Sequence, residues 1–295
     1  MVQSDAPGVV PSRIRELLVF GDSLSDGGNA RALLGDGAFS CPPHWANRRC
    51  DGPIWVDHLA VELGLPPPVP STAGGSNHAH GGARSGGGAT IKGLPNLLTQ
   101  VKRFAGARGP LQEVLKPDTL AVVRAGANDY LDAKPTTAVA DTVNRHLLIA
   151  VHTLADQGLR QFLVPSELPW GSSLIERPGM GVPQRQALNA LIAQQNAALR
   201  EGLADLARRR DLTVVQPDAH GLFLEIQADP AAWGFREIGR PALAAELGDS
   251  GFLWWDAWGH LTSAFHRLLA GLALRELGQA GLIGPATHNE RSYSG

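Results

Sequence analysis

Two short apolar runs, Glu16–Phe20 (ELLVF) and Thr119–Ala125 (TLAVVRA), carry almost no polar alternation. A strand with one wet face alternates apolar and polar residues. A strand without alternation is expected where layers cover both faces of a parallel sheet. Further short strands are expected at Arg160–Val164 and Leu212–Val215. Helical spacing of apolar residues recurs at Asp51–Leu65, Leu94–Phe104, Ala138–Gln157, Gln184–Arg209, Ala219–Ala228 and Leu261–Leu277. Pro66, Pro67 and Pro68 stop the first of these, and Gly158 and Gly278 follow two others as C-terminal signals. Strand and helix alternate throughout, which predicts an α/β chain. The expected architecture is a three-layer α/β/α sandwich with a mostly parallel central sheet. No repeat, linker or change of composition divides the 295 residues. The expectation is one domain over residues 13–280, between tails at 1–12 and 281–295.

Composition narrows the function. Hydrophobic residues make up 43% and charged residues 18%, with a net charge of −2, which describes a globular chain. A nucleic-acid binder should show a basic stripe, whereas the one tight basic run, Arg208-Arg209-Arg210, ends an expected helix and complements its dipole. No apolar stretch approaches the roughly 18 residues of a membrane span. Residues 1–12 are polar, without the apolar segment of a secretory leader. That fits either a cytoplasmic chain or one whose leader has been removed. Two cysteines, Cys41 and Cys50, are too few for a disulfide scaffold or a zinc site, and a local bridge between them is left open.

Four segments carry chemistry. Phe20-Gly21-Asp22-Ser23 follows the first strand, and strand ends are where open α/β sheets place ligands. A serine on such a turn exposes its hydroxyl, although a plain helix-capping turn has the same composition. Gly126-Ala127-Asn128-Asp129 follows the second apolar run. Its Asn amide suits an oxyanion, and an Asx turn is the competing use. Gly81-Gly82, within Asn77–Ala83, lets backbone N–H groups approach a ligand. His78 and His80 form a His-x-His pair with no third metal ligand in view. Asp256-Ala257-Trp258-Gly259-His260 offers an imidazole base and an acid to orient it.

The order of these blocks resembles the GDSL (SGNH) hydrolase family. Gly52-Pro53-Ile54-Trp55-Val56, Asn77–Ala83 and Val164–Pro169 extend the likeness from about residue 15 to about residue 278. The resemblance implies a flavodoxin-like SGNH fold and a serine ester hydrolase of lipase or esterase type. It implies Ser23 as nucleophile, His260 as base and Asp256 as acid. The oxyanion donors would be the Ser23 N–H, the Gly82 N–H (or that of Gly81) and the Asn128 amide. A small-molecule or lipid ester is the implied partner, with no metal and no cofactor. No GxSxG elbow occurs, which argues against an ordinary α/β-hydrolase.

One departure stands out. The family spaces acid and base as DxxH, and here the interval is one residue longer. Gly259 could absorb the extra residue by adopting φ > 0. His266 is the weaker alternative base. Removal of carbohydrate O-acetyl groups, acyl transfer, and a binding module with a degraded acid–base pair are the competing functions. Trp254, Trp255 and Trp258 are candidates for an apolar acyl or choline site, with core packing the commoner use.

Overall fold

The computed structural model describes residues 14–107, 118–132, 135–175, 180–245 and 251–284. The expected N-terminal tail lies outside the described residues, as does the C-terminal one beyond residue 284. Leu282 and Ile283, placed in that tail from sequence, instead pack into the core.

Four parallel strands form the central sheet in the order β1 (Glu16–Gly21), β2 (Thr119–Arg124), β3 (Gln161–Leu163) and β4 (Thr213–Val215). On the open side of β1, residues 76–80 continue the ladder. The Val19 N–H donates to Ser76 O at 3.0 Å, His78 N–H to Val19 O at 2.7 Å and His80 N–H to Gly21 O at 3.0 Å. This pairing carries the chain to Gly81-Gly82 at the C-terminal end of β1, beside the Ser23 turn.

Alternate strand residues enter two different cores, as period-two geometry requires. Leu17, Val19, Leu120, Val122 and Leu163 face one side, against α2 (Trp55–Glu62), α7 (Ala219–Ala228) and α8 (Ser263–Gln279). Leu18, Phe20, Ala121, Val123 and Phe162 face the other, against α3 (Leu97–Ala107), α5 (Thr137–Asp156) and the C-terminal half of α6 (Val182–Arg210). The result is the expected three-layer arrangement. These strand residues are buried on both faces of the sheet. Truncating one of the larger ones, as in Leu163→Ala, costs about 2–5 kcal/mol.

Some boundaries differ from the sequence expectation, each for a local reason. α2 starts at Trp55 rather than Asp51, because Gly52-Pro53 packs against the start of α8 and the Asp57 carboxylate accepts the Ile54 N–H at 3.1 Å. α3 starts at Leu97 rather than Leu94, because Leu94–Asn96 is knitted to the glycine loop: Ala89 bridges Pro95, and the Asn96 side chain accepts from Arg84 N–H. α8 starts at Ser263, because Leu261 pairs instead with Trp254. Four elements have no counterpart in the sequence reading. They are two short helices, α1 (Asn29–Leu34) and α4 (Ala127–Asp132), and a small parallel pair, β5 (Glu237–Pro241) and β6 (Phe252–Trp254).

Candidate active site

β1 ends in a turn that the sequence closes tightly. Gly21 approaches Arg124 so closely that a Cβ there would lie 2.2 Å from the Arg124 carbonyl oxygen, so only glycine fits. Asp22 then folds the chain back. Its Oδ1 accepts the Leu24 N–H at 3.0 Å and its carbonyl accepts the Ser25 N–H at 3.1 Å. Ser23 sits at the apex. Its Oγ is 2.9 Å from Nε2 of His260, 237 residues away in sequence.

The His260 ring is held from the other side by Asp256. Both carboxylate oxygens lie 2.9 Å from Nδ1, and Oδ1 also accepts the Trp258 and His260 backbone N–H groups at 2.9 and 3.1 Å. The longer acid–base interval therefore does not separate the pair. Gly259 takes φ +84°, the left-handed conformation that absorbs the additional residue. An antiparallel bridge between Trp254 and Leu261, with Trp255 N–H donating to His260 O at 2.8 Å, closes the loop at its base.

The Asp256 carboxylate also accepts a hydrogen bond at 2.9 Å from Nε of Arg49, whose guanidinium lies over the Trp258 ring at 5.9 Å. Burial opposes the ionised form of Asp256. His260 and Arg49 overcome it and hold the carboxyl well below the ordinary carboxylate range. An ionised Asp256 fixes the ring tautomer with the proton on Nδ1, leaving Nε2 to accept from the serine hydroxyl.

Two further segments reach the same pocket. Asp26 gathers four backbone donors: Oδ1 accepts Gly28 and Asn29 N–H at 2.8 and 2.6 Å, and Oδ2 accepts Ala30 and Gly81 N–H at 3.0 and 2.8 Å. The Gly81 N–H is thus committed. Among the described residues, no protein acceptor takes the Gly82 or the Ser23 N–H. Asn128 lies in the first turn of α4 and donates one amide hydrogen to Ala83 O at 3.0 Å, leaving the second available. Ser23, Gly82, Asn128 and His260 all line one cavity of about 340 Å³. Its apolar wall includes Leu34, Phe39, Leu94, Leu131, Trp170 and Trp258.

Beneath the site lies a buried ionic triad that no motif announced. Arg124, at the end of β2, bonds both Asp22 oxygens at 3.0 Å and Glu167 Oε1 at 2.7 Å. Glu167 Oε1 also accepts from Trp170 Nε1 at 2.8 Å, which ties the triad to the cavity wall. Burial pushes the Asp22 carboxyl up from its ordinary value, Arg124 counters, and Glu167 adds to the rise.

Other candidates fall away from this centre. His266 is buried inside α8, does not line the cavity, and is pushed down to about 3 by burial and by the neighbouring His58, Arg124 and His260. His78 stacks on Phe20 at a centroid distance of 5.1 Å, and the His80 ring bonds the His78 carbonyl. Among the described residues no group of three or more His, Cys, Asp or Glu side chains is placed to hold a metal. Cys41 and Cys50 are free thiols. Trp254 and Trp255 are core residues, while Trp258 is 69% exposed on the cavity rim. Trp170 and Arg49 escaped the sequence reading, because neither sits in a recognisable spacing. No helix among the described residues is long and apolar enough to cross a membrane.

The chain is similar in sequence and in fold to several known proteins. A GDSL esterase/lipase of Arabidopsis thaliana is 31% identical over 186 residues, covering 54% of this chain and 52% of its own. A phosphatidylcholine-sterol acyltransferase of Aeromonas hydrophila is 32% identical over 147 residues, covering 45% of this chain and 40% of its own. The chain thus spans about half the length of the first relative and less of the second. Axe2, an acetylxylan esterase from Geobacillus stearothermophilus, superposes with a TM-score of 0.45 at 19% identity, covering 89% of this chain and 94% of its own. The profile of the GDSL-like Lipase/Acylhydrolase family runs through residues 17–272, from β1 into α8, and with most of its length so matched the chain belongs to that family.

Proposed function

We propose that the protein hydrolyses carboxylic esters through an acyl-enzyme on Ser23. The observation that carries this reading is the unbroken series of contacts Asp256–His260–Ser23, each 2.9 Å, opening onto an apolar cavity. Ser23 Oγ attacks the ester carbonyl as His260 Nε2 takes its proton. The resulting imidazolium carries one proton on each nitrogen, and the Asp256 carboxylate stabilises the one on Nδ1. Negative charge gathers on the former carbonyl oxygen, which three donors receive: Ser23 N–H, Gly82 N–H and the second Asn128 amide hydrogen. His260 returns the proton to the leaving alkoxide. Water then attacks the acyl-enzyme with His260 again as base, releasing the acid and restoring Ser23.

Assigning Gly82 rather than Gly81 follows from hydrogen-bond accounting, since the Gly81 N–H already serves Asp26. The wall of Leu34, Phe39, Leu94 and Leu131 suits an acyl chain better than a bare acetyl group. The test is hydrolysis of p-nitrophenyl esters from acetyl to decanoyl. The wild type should prefer a chain longer than acetyl, and Ser23→Ala should lose at least about 10³ in kcat with its fold unchanged. Equal turnover by the two proteins would refute the assignment.

A further inference from the structure

Behind the cavity lies a second set of Ser, His and Asp side chains that does not face substrate. Ser85 has no exposed surface. Its N–H donates to Asp129 Oδ2 at 2.9 Å and its Oγ bonds Asp129 Oδ1 at 2.7 Å and His146 Nδ1 at 2.9 Å. A serine hydroxyl has one proton. With the carboxylate accepting it, the oxygen is left to accept from His146 Nδ1–H. His146 projects from α5, and its ring packs on Gly86, where a Cβ would lie 3.2 Å from Cε1.

The location of this cluster matters more than its composition. Asp129 is the residue after Asn128, and Ser85 is three residues after Gly82. The Asn128 amide donates to Ala83 O in the same seam. Two donors of the oxyanion site, one on the glycine loop and one on α4, are therefore stitched together by three hydrogen bonds: Asn128 to Ala83, and Ser85 to Asp129 twice. His146 anchors the seam to α5, which packs on the sheet. Both donor-bearing segments are otherwise loop or the first turn of a six-residue helix, elements with little rigidity of their own.

We propose that Asp129, Ser85 and His146 form a brace that fixes the separation between the Gly82 N–H and the Asn128 amide, so that both meet the oxyanion at once. The inference rests on the assignment of that site made above. These are positioning residues, since none of them touches the reacting atoms. Loosening the brace spares ground-state binding, which the apolar wall supplies, and weakens the transition state, where the two donors act.

The experiment uses the full chain and p-nitrophenyl esters. Asp129→Asn keeps the volume but places an NH₂ against one of the two Ser85 donors. Its kcat should fall roughly 10- to 100-fold, short of the 10²–10³ lost when an oxyanion donor is deleted, with KM within about twofold of wild type. Inhibition by an alkylboronic acid, which mimics the tetrahedral intermediate on Ser23, should weaken by the same factor as kcat. His146→Asn, whose amide can donate from nearly the position of Nδ1, should retain more kcat than His146→Leu. If Asp129→Asn does not fold, Ser85→Ala carries the same comparison. An inert Ser23→Ala beside Asp129→Asn and Ser85→Ala variants of wild-type kcat would overturn the brace alone. Losses shared equally by kcat and substrate binding would do the same. Wild-type turnover in Ser23→Ala would remove the site assignment and the brace with it.

Discussion

Replacing Arg124 by methionine tests the buried triad under the Ser23 turn. The guanidinium is 2% exposed, and its partners Asp22 and Glu167 are 1% and 5% exposed. Methionine fills most of the stem volume but removes the only positive member of the group, leaving two carboxylates inside the fold. Breaking a buried pair from one side costs about 3–5 kcal/mol. Measured against the roughly 5–15 kcal/mol that holds a typical domain together, that is a large share. The pH dependence gives the test its discrimination. Burial already raises the Asp22 carboxyl with Arg124 in place, and losing the guanidinium raises it further. The deficit is then fully present above that raised pKa and shrinks as acidification neutralises Asp22. Urea denaturation of wild type and variant at pH 8, 6.5 and 5 should show the largest difference at pH 8 and a smaller one at pH 5. Arg124→Lys should fall between them, since one ammonium cannot span both partners as the fork does. A loss below about 1 kcal/mol at pH 8, or one that grows towards pH 5, would show that the triad is not the electrostatic unit described.

His266 offers a second titration test with a definite sign. Its folded pKa of about 3 lies below the ordinary 6.5. Stability is therefore complete above about 6.5 and declines as pH falls from there towards 3. Melting temperatures at pH 7 and 5 should differ more for wild type than for His266→Leu. Gly259→Ala imposes φ +84° on a residue with a Cβ, which would also lie 2.9 Å from Ile175 Cδ1. The expected cost is about 1–2 kcal/mol in stability, with a fall in kcat as His260 is displaced. A fully active Gly259→Ala would show that the loop tolerates another conformation.

Much of this site could be read from the chain because its parts sit at strand ends. Unalternating strands announce a sheet covered on both faces, and residues directly after such strands converge on one rim. Ser23 after β1 and Asn128 after β2 follow that rule. The turn chemistry around them was ambiguous in sequence. Asn128 proved to lie in the first turn of a short helix, which six residues of mixed polarity could not signal. The glycine register is equally open in sequence; in the fold the Gly81 N–H is taken by Asp26. Arg49, Ser85, His146, Arg124 and Glu167 were beyond reach for a different reason. Their meaning lies in pairings across 43 to 207 residues, and no local pattern encodes such a partner. β5 and β6 are too short, and in part too exposed, to raise a periodic signal.

The loop that carries both Asp256 and His260 has a mechanical consequence. Asp256 grips the imidazole and two neighbouring backbone amides within five residues, and a bridge clamps the loop's ends. Asp256 and His260 therefore travel as one prefabricated piece, whereas the link to Ser23 is a single contact between distant parts of the chain. As heat loosens the molecule, that contact is expected to part first, with the His260 ring keeping the Asp256 carboxylate but losing the Ser23 hydroxyl. Inactivation should therefore run ahead of unfolding on the heating curve.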